Sequence, residues 1–240
     1  MKRFFDRREA GRALADLLVS YRNTDAVVLG LPRGGVIVAT EVAFGLGLPL
    51  DVIVVRKLGL PVMPEVAMGA IAEGAVDYLN RDLIERCGVT DDEVDGVERI
   101  QRGILESRSS LFRHGRTRVD LNGRTAIVVD DGIATGATAR VACQSARKRG
   151  ARDVVLAAPV AASDTIDTFT EADSIACCIV VPHFAAVGDH YVQFPQVTND
   201  EVIAELDRAD SLAQVEFGHA TPDNRSISPQ SQQTEGPTSA

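Results

Sequence analysis

The sequence predicts an α/β fold: a mostly parallel sheet with helices on both faces. Short apolar runs that read as buried strands recur along the chain, and segments with apolar residues at helical spacing separate them. At two places, residues 30–36 and 130–138, a glycine-bearing loop joins a strand end to a helix start. With 240 residues, 45% hydrophobic and 25% charged, the chain can bury the core of one such domain.

The elements follow in order. Residues 6–21 read as a helix, with Ala10, Ala13, Leu14, Leu17, Leu18 and Tyr21 on one face and Asp6 with Glu9 as a capping pair. Strand 26–31, helix 36–46 and strand 50–55 come next. Residues 56–74 form a long segment bearing Gly and Pro, longer than most connections, and read as a lid. Residues 91–112 read as a charged helix, with Val94, Val97, Ile104, Leu105, Leu111 and Phe112 along one side. Strand 125–129 leads to helix 138–149, which stops at Gly150. Strand 153–158, helix 164–171 and strand 174–181 follow, and Thr198 with Glu201 forms a capping box for a last helix to about Leu212. Residues 219–240 carry almost no apolar side chains and are expected to be a disordered tail beyond a domain of residues 1–218.

Composition excludes several classes of function. A net charge of −9 disfavours nucleic acid, which needs basic surface against its phosphates. No apolar run approaches the length of a membrane span, and residues 1–9 lack the apolar core of a signal peptide, so a cytoplasmic protein is expected. Cys87, Cys143, Cys177 and Cys178 show no metal or redox spacing and read as reduced, mostly buried thiols. The four histidines are scattered, which argues against zinc, and no Walker A motif follows any strand.

The chemistry gathers at the two loops. Asp130 and Asp131 stand at the carboxyl end of a strand, and small residues then open a helix. Amides at a helix start hold phosphate. Carboxylates cannot share that pocket, so they face sugar hydroxyls, a cation or developing positive charge. In the other loop, Gly34 and Gly35 let backbone amides approach an anion, and Arg33 adds a forked cation.

The run from Ala126 to Thr138 resembles the signature of the type I phosphoribosyltransferases, which bind 5-phosphoribosyl-1-pyrophosphate (PRPP). The resemblance covers residues 5 to about 212 and extends to a broad bacterial and archaeal group of predicted phosphoribosyltransferases. It implies a five-stranded, mostly parallel sheet with flanking helices, a lid loop and a small hood at about residues 181–200. It implies that Asp130 and Asp131 grip the ribose hydroxyls, and that Ala134, Thr135, Gly136, Ala137 and Thr138 wrap the 5′-phosphate. Arg33, Gly34 and Gly35 resemble the pyrophosphate loop. Arg56 and Lys57 resemble the start of the flexible loop of adenine phosphoribosyltransferases and would neutralise departing pyrophosphate.

In the hood, Phe184, Val187 and Tyr191 would face the base, although Ala185 aligns with the usual stacking aromatic. Ala134 stands where hypoxanthine-guanine enzymes carry an acid. The implied reaction transfers the phosphoribosyl group to a nitrogenous acceptor, a nucleobase in nucleotide salvage, with release of pyrophosphate. The implied cofactor is Mg²⁺, held mainly through PRPP with Asp130 and Asp131 as candidate contacts, and the implied assembly is a homodimer. Two alternatives stay open: a regulator that binds PRPP or a nucleotide without turnover, and a hydrolase that uses water as acceptor.

Overall fold

The computed structural model describes residues 3–73 and 76–217. The expected tail at 219–240 and the end of the expected lid at Gly74 lie outside the described residues. A five-stranded sheet has the order β2-β1-β6-β7-β8, formed by Leu50–Val52, Val27–Gly30, Thr125–Val129, Asp153–Ala162 and Ser174–Val181, with every neighbouring pair parallel. Among the described residues no helix is long and apolar enough to cross a membrane.

The central strands are apolar without alternation because helices cover both faces. Alternate residues feed two cores. Val28, Ile127, Val129 and Val155 point to one side, against α2 (Gly34–Leu46) and Leu14 of α1 (Arg7–Leu17). Val27, Leu29, Val128 and Leu156 point to the other, against Ala139, Ala142, Cys143 and Ala146 of α5 (Ala137–Lys148). The helix starts match their sequence signals. Asp6 accepts from the Glu9 amide, and the Thr198–Glu201 box opens α7 (Asn199–Phe217).

The main difference concerns residues 56–73, which are not an irregular loop. Val55–Gly59 (β3), Ala67–Ala72 (β4) and Val76–Leu79 (β5) form a separate antiparallel sheet. Leu58, Met68 and Ile71 are fully buried, and Ala70 and Ala72 pack on Val141 of α5. The prolines are confined to the turn that the Leu60 amide closes onto the Val66 carbonyl. A short helix, α3 (Arg81–Arg86), capped by Asn80, spans too few residues to show a helical period in the sequence.

Other boundaries shift for local reasons. The strand expected at 50–55 stops at Val52, where its pairing with Gly30 ends. β7 runs on to Ala162 because β8 pairs with it over that length. The helix after it, α6 (Ser163–Asp167), ends before 171. On α4 (Asp91–Arg113), Val94, Leu105 and Phe112 are buried, whereas Ile104 and Leu111 are exposed and fall off the buried stripe. Cys143 is buried, Cys177 and Cys178 half-buried and Cys87 exposed, and none of the four is in a disulfide.

A buried charge network ties the second sheet to the domain. The Glu73 carboxylate accepts from Arg113 Nη1 (3.0 Å) and from the Ser109 hydroxyl, and it pairs with Arg118 (2.8 Å). Arg113 also meets Asp51 (3.3 Å) and the Val52 carbonyl (2.9 Å), while Ser145 of α5 donates to the Glu73 carbonyl (2.7 Å). One arginine thus bridges an edge strand of the main sheet, the β4–β5 connection and α4. Removing one partner of a buried pair leaves uncompensated charge, so Arg113→Met is expected to cost about 3 kcal/mol. Urea denaturation checks this, and a loss under about 1 kcal/mol would show that Arg118 and Arg149, which lies 3.8 Å from Asp51, already satisfy both acids.

Candidate functional site

The parallel register sets Gly30 beside Val129 and Val129 beside Ala157, so the strands end together and their following loops meet. Those loops touch. A Cβ on Gly34 would lie 1.9 Å from Asp131 Oδ2, and one on Gly35 would lie 2.7 Å from the Val129 carbonyl oxygen. Both glycines are required by close approach, not by an unusual φ. The peptide between Pro32 and Arg33 is cis.

The acidic pair is held from several directions. The Asp131 amide donates to Asp130 Oδ1 (2.9 Å). Arg7, from the first turn of α1, donates Nε to Asp131 Oδ2 (2.7 Å). The Tyr191 hydroxyl donates to the Asp131 carbonyl (2.6 Å). Burial, and then the charge of Asp131, hold the Asp130 carboxyl well above the ordinary carboxylate range. Burial also raises Asp131, although Arg7 opposes it. One arginine against two recessed carboxylates leaves excess negative charge, which hydroxyl donors or a cation would relieve.

Beside the pair lies a cavity of about 160 Å³, lined by Asp130 and by residues 132–139. Gly136 sits at φ +71°, a left-handed conformation that glycine adopts freely, and turns the chain into α5. The first amides of α5 have no intrahelical partners and sit at the positive end of its dipole. The loop is pinned to β7: Ile133 and Val160 share one backbone bond, and Ala162 and Ile133 another, each 2.9 Å.

The family described as phosphoribosyl transferase domain matches residues 4–193 of this chain. The chain belongs to that family. Two curated relatives from Mycobacterium tuberculosis, strains CDC 1551 / Oshkosh and ATCC 25618 / H37Rv, both carry the name "putative phosphoribosyl transferase". Each is 51% identical over 210 residues, covering 87% of this chain and 47% of its own length. The chain therefore spans about half the length of the curated relatives it matches. The crystal structure of TT1426 from Thermus thermophilus is 40% identical, with a TM-score of 0.74, over 85% of this chain and 97% of that one.

Within this phosphoribosyl transferase domain, the expected site residues divide. Asp130, Asp131, Gly34, Gly35 and the loop of Ala134, Thr135, Gly136, Ala137 and Thr138 come together, with Arg33 exposed on the adjoining turn. Arg56 and Lys57 do not join them. Arg56 donates through Nε and Nη2 to Gln101 Oε1 (3.1 and 2.7 Å), Lys57 donates to the Glu65 carbonyl (2.8 Å), and both line a different groove, against α4.

In the hood region, Phe184 stacks on His190 with ring centroids 5.4 Å apart. Val187 abuts Gly132, where a Cβ would meet its methyl at 2.4 Å. Tyr191 is buried, with its hydroxyl committed to the Asp131 carbonyl, so it braces the acidic pair. Arg7, which holds Asp131, is the side chain at this site that the sequence did not single out. Its one signal was position: a cation in the first turn of a helix opposes the dipole and needs a compensating partner.

Two measurements test this geometry. Gly34→Ala should cost about 1–3 kcal/mol in urea denaturation because the new methyl overlaps Asp131. Gly103→Ala, which meets open space inside α4, should instead stabilise by about 0.5–1 kcal/mol. Equal effects would mean that the two loops are not in contact. The second test is pH dependence. A carboxyl raised in the folded state gives stability below its unfolded pKa that is lost as pH rises through the folded value. Asp130→Asn should therefore raise the urea midpoint at pH 7 and have little effect near the ~3.9 of an unfolded aspartate. A larger gain in acid would reverse the sign assigned to Asp130.

Proposed function

We propose that this chain transfers the 5-phosphoribosyl group from PRPP to a nitrogenous acceptor, releasing pyrophosphate. The observation that carries the reading is the contact of three parts: an acidic pair, a small-residue cavity at a helix start, and a glycine loop bearing an arginine. The cavity suits the 5′-phosphate, held by the amides of residues 134–138 and the Thr135 and Thr138 hydroxyls. Asp130 and Asp131 take the ribose hydroxyls as donors. Gly34 and Gly35 present backbone to the pyrophosphate, and Arg33 offers it positive charge.

As the bond from C1′ to the pyrophosphate oxygen breaks and the nitrogen–C1′ bond forms, the sugar gains positive charge. The fixed carboxylates stabilise it, and Arg33 stabilises the leaving group. The two carboxylates, with phosphate oxygens close by, are a donor set of the hard kind that Mg²⁺ prefers, and bound Mg²⁺ would add charge neutralisation on the pyrophosphate. Arg56 and Lys57 are held by Gln101 and Glu65 and take no part in this arrangement. With so little cation on the leaving group, a PRPP-binding regulator without turnover is the second reading.

We take the acceptor to be a nucleobase in salvage. Ala134 offers no carboxylate to remove a purine proton, so turnover of hypoxanthine and guanine should be weak. The protein incubated with PRPP, Mg²⁺ and a panel of bases should release pyrophosphate with at least one of them. Asp130→Asn/Asp131→Asn should then lower turnover by about two to three orders of magnitude. Near-normal turnover in that folded double variant would reject the mechanism, and PRPP binding without release would establish the regulatory reading.

A further inference from the structure

We propose that Arg7 is a positioning residue for this site, acting through Asp131 to hold that carboxylate and residues 193–195 in one arrangement. The inference rests on the transferase reading and deepens it. The N-terminal segment and the chain after the hood are zipped together by backbone bonds: Phe4 amide to His190 carbonyl (2.9 Å), Val192 amide to Phe4 carbonyl (2.9 Å) and Gln193 amide to Phe5 carbonyl (2.8 Å). Aromatic contacts continue the seam, with Phe4 and Tyr191 centroids 6.0 Å apart and Tyr191 stacked on Phe194 at 4.8 Å.

Arg7 caps the seam. Its guanidinium lies 3.7 Å over the Phe194 ring, Nη1 donates to the Pro195 carbonyl (2.8 Å), and Nε donates to Asp131 Oδ2 (2.7 Å). Asp131 is thus gripped at two atoms by one zipped unit, Oδ2 by Arg7 and its carbonyl by Tyr191. Gly34 closes on the same Oδ2, and a Cβ there would also lie 2.9 Å from Arg7 Nε. A ligand hydroxyl must then use the remaining carboxylate edge in a preset orientation, without first ordering the side chain. The planar fork of Arg reaches Asp131 and Pro195 together, which a single ammonium cannot do. A cation at this helix start also works against the dipole, so its place there depends on the carboxylate it meets.

Calorimetric titration of the full chain with PRPP and Mg²⁺ tests the role in a double-mutant cycle. Arg7→Met should weaken binding about tenfold or more, the scale of a lost hydrogen bond to a charged group. In an Asp131→Asn background the same substitution should change affinity less than about threefold, because Arg7 acts through that carboxylate. Arg7→Lys, which keeps the charge, should recover part of the loss. If Arg7→Met does not fold, Arg7→Lys in the two backgrounds carries the cycle, with a smaller loss that again vanishes beside Asp131→Asn. Equal losses in both backgrounds, or none in either, would overturn the role and leave the transferase reading intact. Failure of the unsubstituted protein to bind PRPP would overturn both.

Discussion

Two neighbouring carboxylates recessed at the end of a buried strand are the constraint on which this structure depends. Removing Asp130 and Asp131 from water disfavours their charged forms, and each also repels the other. The surroundings offset only part of that cost. The Asp131 amide donates to Asp130 Oδ1, and Arg7 Nε donates to Asp131 Oδ2. A chain selected for stability alone would place neutral residues here. Unrelieved negative charge beside an anion-suited loop is what the proposed sugar-phosphate site requires, because the hydroxyls of a bound sugar would supply the missing donors.

The rest of the fold serves that placement. The parallel register brings the ends of β1 and β6 level, so the loop before α2 meets the loop before α5. Their approach is close enough to exclude a methyl group at Gly35, where a Cβ would lie 2.7 Å from the Val129 carbonyl oxygen, which makes the spacing between the two loops a property of backbone contact. The length of β7 matters for the same reason. Its last residues carry the bonds to Ile133 that hold the small-residue loop against the sheet. Arg7 and Tyr191 reach the pair from opposite ends of the chain because segment 4–5 runs beside 190–193.

The second sheet shows how buried charge specifies position. β3–β5 pack on α5 through small residues, Ala70 and Ala72 on Val141, which alone would allow sliding. Glu73, Arg113 and Asp51 add directional contacts that are satisfied in one arrangement. That arrangement directs Arg56 toward Gln101 on α4, which is why the basic pair does not line the cavity beside the acids.

The sequence by itself determined the parallel α/β class, because both-face burial leaves unbroken apolar runs in the strands and helical spacing between them. It also placed the acidic pair, the small-residue loop and the Gly34–Gly35 loop at strand ends before helix starts, where close approach and a left-handed turn demand glycine locally. It did not determine the β3–β5 sheet. Its strands are short, its glycines and prolines look like loop composition, and its burial comes from α4 and α5, which are distant in sequence. It did not determine the partners of Arg56 and Lys57, or that the Tyr191 hydroxyl bonds to the Asp131 carbonyl. Nor did it determine Arg7, whose meaning comes from Asp131, Phe194 and Pro195. Side-chain type is written locally, but the charge that each ionised group meets is decided by long-range packing, and only the tertiary structure holds it.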